Sequence, residues 1–413
     1  MDQDLTSRAA ARRAAETAFA AYQEFLGADP AVIDALVDAM ARAIEPEAKR
    51  LAEIAVDETG YGNVADKRVK NLFNALSVAD YLRDVTTLGL LWRDDATKIA
   101  AIGEPMGVVA ALIPVTNPTS TIIYKVLSAV KAGNAIVTAP HPRGVRSGVE
   151  TVRVMAEAAE RLGAPKGLIQ CLDQVTLDGT AELMRHRRTS IVMATGGPGM
   201  VKTAYSSGKP TLAVGAGNVP CYVHASMAGQ LDEVAEQIIT SKAFDYGTAC
   251  VSEQAVIADR AIARDLRHEM RMRGAYFCTS AEADRLASTI FTDGGTINPE
   301  MVGQSPSSLA EAAGFAVTPK TRCLVAEETE IGWQAPLSAE KLNPVLAFYE
   351  AGDEAKGIDL AMRIAKFGGW GHTSVIHAED PKIVARYSAI PTGRVLVNTP
   401  AIIGGMGYST DLE

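Results

Sequence analysis

Apolar residues along the first 85 positions recur at three- and four-residue spacing, which predicts α-helices. The segment EAKRLAEIAVDETGYG shows this spacing and ends at Gly60 and Gly62, as a helix C-terminus prefers. Residues 86–105 depart from the helical pattern, because apolar runs there flank Arg93 and Asp94. This second pattern predicts a β-hairpin that leaves the helical layer.

From Met106 onward, near-continuous apolar runs alternate with helical segments. Such runs are typical of strands buried on both faces of a parallel sheet. The strand-like runs are MGVVAALIP, NAIVTAP, GLIQCLD, SIVMAT and PTLAVGAG. This alternation predicts a doubly wound α/β domain whose ligand lies beyond the C-terminal ends of the strands. A second alternating block begins near Pro220 and predicts a second α/β domain.

Composition narrows the class of protein. A chain of 413 residues exceeds one core, because a domain typically has about 100–200 residues. The net charge of −9, without a long basic run, argues against nucleic acid and an anionic membrane surface as partners. We expect a cytoplasmic protein, since no stretch resembles a signal peptide or a membrane span. The five scattered cysteines include no CxxC pair, so we expect neither a disulfide framework nor a metal site.

Cys250 differs in context from the other four cysteines. It lies in the small-residue turn of FDYGTACVSEQ, after a predicted helix and before a predicted strand. Such a turn can expose the sulfur and direct backbone N–H groups toward it, which favours the nucleophilic thiolate. A packed, inert thiol is the alternative. The remaining cysteines lie in or beside strand-like runs, and we expect them to be structural: Cys171, Cys221, Cys278 and Cys323.

Asn117 follows the first buried strand, within IPVTNPTST. Pro118 favours an extended conformation for it, and an amide held there can donate a hydrogen bond to an oxyanion. The alternative is a plain Asn-Pro turn.

Two loops have features of phosphate or ribose sites. ATGGPGM joins a strand to a helix, so its backbone N–H groups can face an anion, although a tight turn needs the same glycines. APHPRG ends another strand and carries Pro140, His141 and Arg143. The alternative is a rigid loop with a solvated arginine. Because this loop has no acidic residue, Arg143 could bind a 2′-phosphate, which leaves both NAD and NADP open.

Seven blocks together closely resemble the CoA-acylating aldehyde dehydrogenases, above all the aldehyde dehydrogenase half of the bifunctional aldehyde-alcohol dehydrogenases. Acylating sulfoacetaldehyde and succinate-semialdehyde dehydrogenases are near relatives. The blocks are IPVTNPTSTIIYK, NAIVTAPHPR, ATGGPGMVKTAYSSGKP, VGAGNVP, FDYGTACVSEQ, EKLNPVLAFY and GHTSVIH. The resemblance implies an aldehyde dehydrogenase-like α/β fold, with two doubly wound domains and a small oligomerisation β-hairpin.

The resemblance also implies roles for individual residues. Cys250 would add to the aldehyde carbonyl, and the Asn117 amide and the Cys250 backbone N–H would form the oxyanion hole. Hydride transfer to NAD or NADP would leave a thioester on Cys250. The residues implied to bind the cofactor are Thr195, Gly196 and Gly197 at the pyrophosphate, Pro140, His141 and Arg143 at the adenosine, and Glu340 at the nicotinamide ribose.

Val214 marks a departure from ordinary aldehyde dehydrogenases. Those enzymes carry a water-activating glutamate in an E-L-G-G-K block, whereas the matching VGAGNVP has Val214 at that position. We therefore expect coenzyme A, as co-substrate, to take the acyl group, because a thiol needs less activation than water. His372 is the candidate for accepting the thiol proton or polarising the acyl group, and a histidine bonded to a glycine-rich turn is the alternative. We expect Glu253 to be structural.

The implied organisation has four parts. Residues 1–85 and 106–222 form the dinucleotide-binding domain, residues 86–105 the oligomerisation hairpin, residues 223–400 the catalytic domain, and residues 401–413 the start of a C-terminal segment that is shorter than in relatives. We expect a homodimer or a dimer of dimers acting on a small aldehyde and CoA. A hydrolytic aldehyde dehydrogenase and an inactive, truncated family member are the alternatives.

Overall fold

A computed structural model describes residues 2–407 and divides into two compact units after Gly215. The expected division lay after residue 222, but the strand Val219–Val223 belongs to the second sheet and so to the second unit. Of the segment expected at 401–413, the part beyond residue 407 lies outside the described residues. None of the described helices is long and apolar enough to cross a membrane.

The first unit begins with helices, as the periodicity predicted. They are α1 (Gln3–Phe25), α2 (Pro30–Thr59), α3 (Val64–Leu72) and α4 (Val78–Arg83), with a π-helical turn Phe73–Ser77 before α4. Asp29 caps the start of α2, where its side chain accepts the Ala31 N–H. The helix ends at Gly60, whose φ of +74° is a left-handed conformation that favours glycine.

The predicted hairpin is present and consists of β1 (Gly89–Asp94) and β2 (Ile99–Gly103), paired antiparallel. It exposes large apolar side chains, among them Leu90, Trp92 and Ile102. Its role in oligomerisation stays a prediction.

The first sheet has five parallel strands in the order β5-β4-β3-β6-β7. Strands β3 and β4 are buried at every position, which explains their continuous apolar runs. The elements are β3 (Val108–Leu112), α5 (Pro118–Lys131), β4 (Ala135–Ala139), α6 (Val145–Arg161), β5 (Ile169–Cys171), α7 (Leu177–Arg185), β6 (Thr189–Thr195), α8 (Pro198–Tyr205) and β7 (Thr211–Val214).

The second unit contains a parallel sheet of seven strands in the order β10-β11-β12-β9-β8-β13-β14. Its elements are β8 (Val219–Val223), α9 (Leu231–Ala243), β9 (Glu253–Asp259), α10 (Arg260–Met272), β10 (Ala275–Phe277), α11 (Ser280–Ile290), α12 (Pro306–Ala312), β11 (Cys323–Glu327), β12 (Val345–Ala351), α13 (Glu354–Gly368), β13 (Thr373–His377), α14 (Pro381–Tyr387), β14 (Arg394–Val397) and α15 (Ala401–Gly405). The strand-like runs noted at or beside Cys221 and Cys278 coincide with β8 and the end of β10, whereas the sequence pattern did not indicate β14. Strand β8 contains Pro220, and β10 and β14 are short edge strands.

Replacing Leu127 by alanine should destabilise the first unit, because this α5 side chain is fully buried in the core. We expect a loss of about 2–5 kcal/mol in the free energy of unfolding, measured by chemical denaturation. Leu177→Ala is the matched control, since Leu177 is 79% exposed, and it should change that free energy by less than about 0.5 kcal/mol. Equal effects of the two variants would contradict the assigned core.

Candidate active site

In the second unit, three candidate residues and Gly217 lie at the N-terminal ends of neighbouring strands. Glu340, Cys250, Gly217 and His372 precede β12, β9, β8 and β13, and these strands are adjacent in that order in the sheet. All strands of this sheet are parallel, so their N-terminal ends share one edge. The candidates of the first unit instead follow their strands, at the C-terminal edge that was predicted for a doubly wound sheet.

A strained turn carries Cys250. After α9, Asp245 and Tyr246 both have a φ of 49°, and Gly247 follows with a φ of 68°, so three consecutive residues are left-handed. Such a conformation is unfavourable for Asp and Tyr and persists only where the surroundings hold it. The Thr248 hydroxyl donates to the buried Asp245 carboxylate at 2.7 Å. Cys250 is half-buried at the end of this turn.

The surroundings of Cys250 within this unit are apolar. Ala249, Val251 and Ile402 form a small buried cluster, and Phe244, Cys250 and Met406 pack against it. Glu253 is buried at the start of β9, where its Oε1 accepts the Ala401 N–H at 3.0 Å. That bond holds α15 beside the cysteine turn, in line with the structural role expected for Glu253.

Gly217 links the candidates of the second unit. Its backbone N–H donates to Oε1 of Glu340 at 3.0 Å. A Cβ atom on Gly217 would lie 2.5 Å from the Cys250 carbonyl oxygen and 2.8 Å from Nδ1 of His372. Both distances are shorter than real Cβ contacts, so the position excludes every residue other than glycine unless its neighbours move. Gly217 therefore lies close to three sequence-predicted site residues at once.

His372 is a neutral imidazole at physiological pH. Burial, helped by the charge of Arg394, lowers its pKa to about 4. Nδ1 lies 3.1 Å from the Thr373 hydroxyl. This pKa is well below the near-neutral value on which the candidacy of His372 as a proton acceptor rested. A neutral ring still offers one N–H donor and one acceptor.

Glu340 has a perturbed carboxyl group. Burial raises its pKa to about 7, opposed by the Gly217 N–H and by the charges of Lys242 and Lys341. Lys341 is itself fully buried and donates to the carbonyls of Gln254, Leu337 and Ala339 at 3.1, 2.7 and 2.8 Å. The segment that carries Glu340 is thereby fixed to the start of β9.

The other cysteines are poor nucleophiles. Burial raises the pKa of Cys171, Cys278 and Cys323 to about 12. Burial also raises the pKa of Cys221. A thiol with such a pKa stays protonated at neutral pH and reacts slowly. Their surroundings agree with the structural roles expected for them.

Asn117 lies between β3 and α5 in the first unit and is the N-terminal cap residue of α5. Its Oδ1 accepts a hydrogen bond from Nζ of Lys70 at 2.7 Å, and its Nδ2 donates to the Thr116 hydroxyl at 3.1 Å. The amide orientation is therefore held by side chains from two parts of the unit.

The loop after β4 places the three candidates for the adenosine side. Pro140 is buried, and Nδ1 of His141 accepts the Arg143 N–H at 3.1 Å. The Arg143 guanidinium donates to the Thr59 carbonyl at 3.0 Å and to the Tyr61 hydroxyl at 3.2 Å. It thus supports the end of α2, and its proposed contact with a 2′-phosphate stays a prediction.

The glycine-rich turn after β6 fits the approach of a phosphate. The Gly196 N–H donates to the Val214 carbonyl at 3.2 Å, and Gly197 precedes α8. Apart from the adjoining residues of the chain, nothing in the described structure lies within 4 Å of a Cβ placed on Gly197 or Gly199, so the backbone is accessible there. Together with Thr195 at the end of β6, this turn can hold a dinucleotide at its pyrophosphate. Among residues 2–407, no group of three or more His, Cys, Asp and Glu side chains could hold a metal ion.

Several supporting residues were not found from the sequence. Gly217 was quoted only as part of VGAGNVP, and Lys341 only as part of EKLNP. Lys67 and Lys70 are charged residues on the helical segment VADKRVKNL, where a solvated face is the usual expectation. Their three-residue spacing places them on one face, which is the only signal the sequence offered.

The aldehyde dehydrogenase family model matches residues 2–278, so the chain belongs to the aldehyde dehydrogenase family. Among curated relatives, the aldehyde-alcohol dehydrogenase of Clostridium acetobutylicum is 41% identical over 361 residues, covering 86% of this chain and 41% of that protein. The acylating sulfoacetaldehyde dehydrogenase of Cupriavidus necator is 36% identical over 386 residues, covering 92% and 77%. The chain therefore spans less than half of the first relative and most of the second.

Solved structures of aldehyde dehydrogenases are also similar to this chain. An acetylating aldehyde dehydrogenase from Geobacillus thermoglucosidasius is 46% identical with a TM-score of 0.96, covering 100% of this chain and 90% of that one. A Rhodopseudomonas palustris propionaldehyde dehydrogenase with bound CoA and an acylated cysteine is 27% identical with a TM-score of 0.86, covering 95% and 89%. These findings confirm the resemblance drawn from the seven sequence blocks, and the aldehyde dehydrogenase-like α/β fold.

Gly217→Ala should lower the free energy of unfolding by about 1–3 kcal/mol, because the added methyl group collides with the Cys250 carbonyl and the His372 ring. Gly229→Ala is the matched control in the same unit, since nothing lies within 4 Å of a Cβ there. Denaturant unfolding followed by circular dichroism compares them. A Gly217→Ala protein as stable as the control would contradict this close packing.

Proposed function

We propose that this chain is a CoA-acylating aldehyde dehydrogenase, which interconverts a small aldehyde and CoA with an acyl-CoA while reducing or oxidising NAD or NADP. The close approach of Cys250, His372 and Glu340 to Gly217 carries the proposal. Relatives named acylating or acetylating and a relative with bound CoA support it. Val214 at the end of β7 supports thiol attack over hydrolysis, because valine cannot activate water.

Cys250 is the proposed nucleophile. Its thiolate adds to the aldehyde carbonyl carbon, a C–S bond forms and the carbonyl oxygen becomes an oxyanion. The Asn117 amide and the Cys250 N–H are the proposed donors to that oxyanion. When bound, a nicotinamide coenzyme supplies the hydride acceptor. Collapse of the oxyanion to a carbonyl expels hydride from the carbon and leaves a thioester on Cys250. The CoA thiolate then attacks this thioester, and the Cys250 thiolate leaves.

The lowered pKa of His372 favours one of its two candidate roles. An imidazole with a pKa of about 4 is a weak acceptor for a thiol proton, since a good general base has a pKa near the operating pH. A neutral imidazole can still donate an N–H to the acyl oxygen. We therefore assign His372 to polarising the acyl group.

Glu340 is the proposed partner of the nicotinamide ribose. Glu340 is half-buried, and its Oε1 accepts the Gly217 N–H, so the carboxyl group is held in one orientation. A carboxylate held in this way accepts hydrogen bonds from ribose hydroxyls. Thr195, Gly196 and Gly197 are the proposed pyrophosphate contacts, and Pro140, His141 and Arg143 those of the adenosine.

The proposed assembly is a homodimer or a dimer of dimers in the cytoplasm. The exposed apolar side chains of the β1–β2 hairpin support it, because such side chains are normally covered by a partner. The proposed domains are those implied by the resemblance, except that the dinucleotide-binding domain ends at Gly215 rather than at residue 222.

CoA should be required for turnover. With a small aldehyde and NAD or NADP, the wild-type protein should form NADH or NADPH in multiple turnovers only when CoA is present. The reason is that Val214 occupies the position where hydrolytic aldehyde dehydrogenases carry the glutamate that activates water. Absorbance at the reduced-nicotinamide band measures the rate, and mass spectrometry identifies the acyl-CoA. Equal rates with and without CoA would refute the acylating reaction and favour hydrolysis.

Cys250→Ala should abolish turnover, at least about a thousandfold, because the covalent intermediate cannot form. Binding of NADH, followed by its fluorescence, should remain. Cys278→Ala is the matched control in the same unit and should retain most activity, since burial keeps that thiol protonated. Full activity of Cys250→Ala would contradict the assigned nucleophile.

A further inference from the structure

Helix α3 buries a polar face. Lys67, Lys70 and Asn71 are only 1%, 4% and 0% exposed, although lysine is rarely buried without partners. Their spacing places all three on one side of the helix. Burial of two ammonium groups on a nine-residue helix is unfavourable for stability alone, which indicates another use for this face.

This polar face contacts the turn that carries Asn117. Nζ of Lys67 donates to the Thr116 carbonyl at 2.9 Å, and Nζ of Lys70 donates to Oδ1 of Asn117 at 2.7 Å. Asn71 continues the contact, since its Oδ1 accepts the Thr119 hydroxyl at 2.7 Å. Helix α3 therefore holds the turn between β3 and α5, and the first turn of α5, through three polar side chains on one face.

An ammonium group fixes which way an amide faces, because it only donates hydrogen bonds. Lys70 holds the Asn117 oxygen on its own side, so the amide nitrogen must face away from it. The reversed amide would place two donors against each other at 2.7 Å, which is unfavourable. An oxyanion needs the amide nitrogen as donor, and this is the orientation that Lys70 selects.

We propose that Lys70 is a positioning residue that orients the Asn117 amide as an oxyanion donor. The proposal rests on the proposed function in that it takes Asn117 as this donor. Lys70 also places a buried positive charge beside the amide, which polarises its N–H bonds toward a developing negative charge. Neither the aldehyde nor the cofactor touches Lys70 in this scheme, so we assign its effect on the reaction to its contact with Asn117.

A double-mutant cycle tests this dependence. Lys70→Met should reduce the rate of Cys250 acylation about tenfold to a hundredfold, the scale of a misplaced catalytic group, and Asn117→Ala should reduce it about as much or more. In the Asn117→Ala background, Lys70→Met should reduce the rate of Cys250 acylation by no more than about twofold, because the amide that Lys70 orients is absent.

The assay of Cys250 acylation should require neither the nicotinamide coenzyme nor CoA. Acylation of Cys250 by p-nitrophenyl acetate releases one nitrophenolate per thioester formed, so the rate of the burst reports the oxyanion step alone. CoA-dependent NADH formation is measured in parallel. Loss of the CoA dependence with an intact Lys70–Asn117 coupling in the ester assay would refute the proposed function while leaving this inference standing.

Lys131→Met is the matched control. Lys131 is equally buried, lies at the opposite end of α5 from Asn117 and pairs with Asp34. It should change the burst rate by less than about twofold, even if its loss destabilises the unit as much as Lys70→Met does. Thermal unfolding compares the stability of the two variants.

Two outcomes would overturn the inference. Lys70→Met could reduce the burst rate by the same factor with and without the Asn117 amide. Alternatively, it could reduce the burst rate no more than Lys131→Met does. If Lys70→Met does not fold, Lys70→Arg takes its place, because the larger guanidinium group displaces the donor from the 2.7 Å contact with Asn117. The reduction in burst rate caused by Lys70→Arg should likewise disappear in the Asn117→Ala background. Absence of any Cys250 acylation in the wild type would overturn both proposals.

Discussion

The backbone at Gly217 leaves no room for a side chain, and the arrangement of the second unit depends on that space. A methyl group there would collide with the Cys250 carbonyl and the His372 ring, while the Gly217 N–H is needed by the Glu340 carboxylate. These groups lie on the segments that precede strands β8, β9, β12 and β13, so one backbone position sets the spacing of four chain segments. The strained turn before Cys250 is compatible with this view, because three left-handed residues need firm surroundings.

Buried lysines support the candidate site in both units. Lys341 donates to three backbone carbonyls in the second unit, and Lys125 donates to the Leu112 and Met193 carbonyls in the first. An apolar side chain of similar volume would often stabilise a fold as well as a buried charge does. Carbonyl groups at strand ends, however, lack sheet partners, and a long donor can satisfy several of them at once. Lys341 thus fixes the loop that carries Glu340, and Lys125 links β3 to β6.

The sequence alone predicted most of the scaffold. The strands of the first sheet, the hairpin and the end of α2 at Gly60 have local causes, namely apolar runs, turn residues and a left-handed glycine. The resemblance supplied the identity of the candidate residues. Sequence reasoning missed the features that arise only when distant segments meet: the shared edge of the second sheet, the contact of Lys70 with Asn117 and the crowding at Gly217. A local sequence pattern does not indicate such long-range contacts. Charged residues on a helix normally predict a solvent-exposed face.

Burial also determines how the candidate site responds to pH. Burial raises the pKa of Glu340 to about 7 and lowers the pKa of His372 and His377 to about 4. A raised carboxyl pKa weakens the fold as pH rises from about 4.5 to 7, because the unfolded chain ionises first. The lowered histidine pKa values weaken it as pH falls from about 6.5 to 4, because the unfolded chain takes up protons first. The two effects have opposite slopes over nearly the same interval, so Glu340 offsets one of the two histidines in the free energy of unfolding. The neutral imidazole of His372 and the carboxyl group of Glu340 therefore act in opposite directions on the stability of the second unit as pH changes between about 4.5 and 6.5.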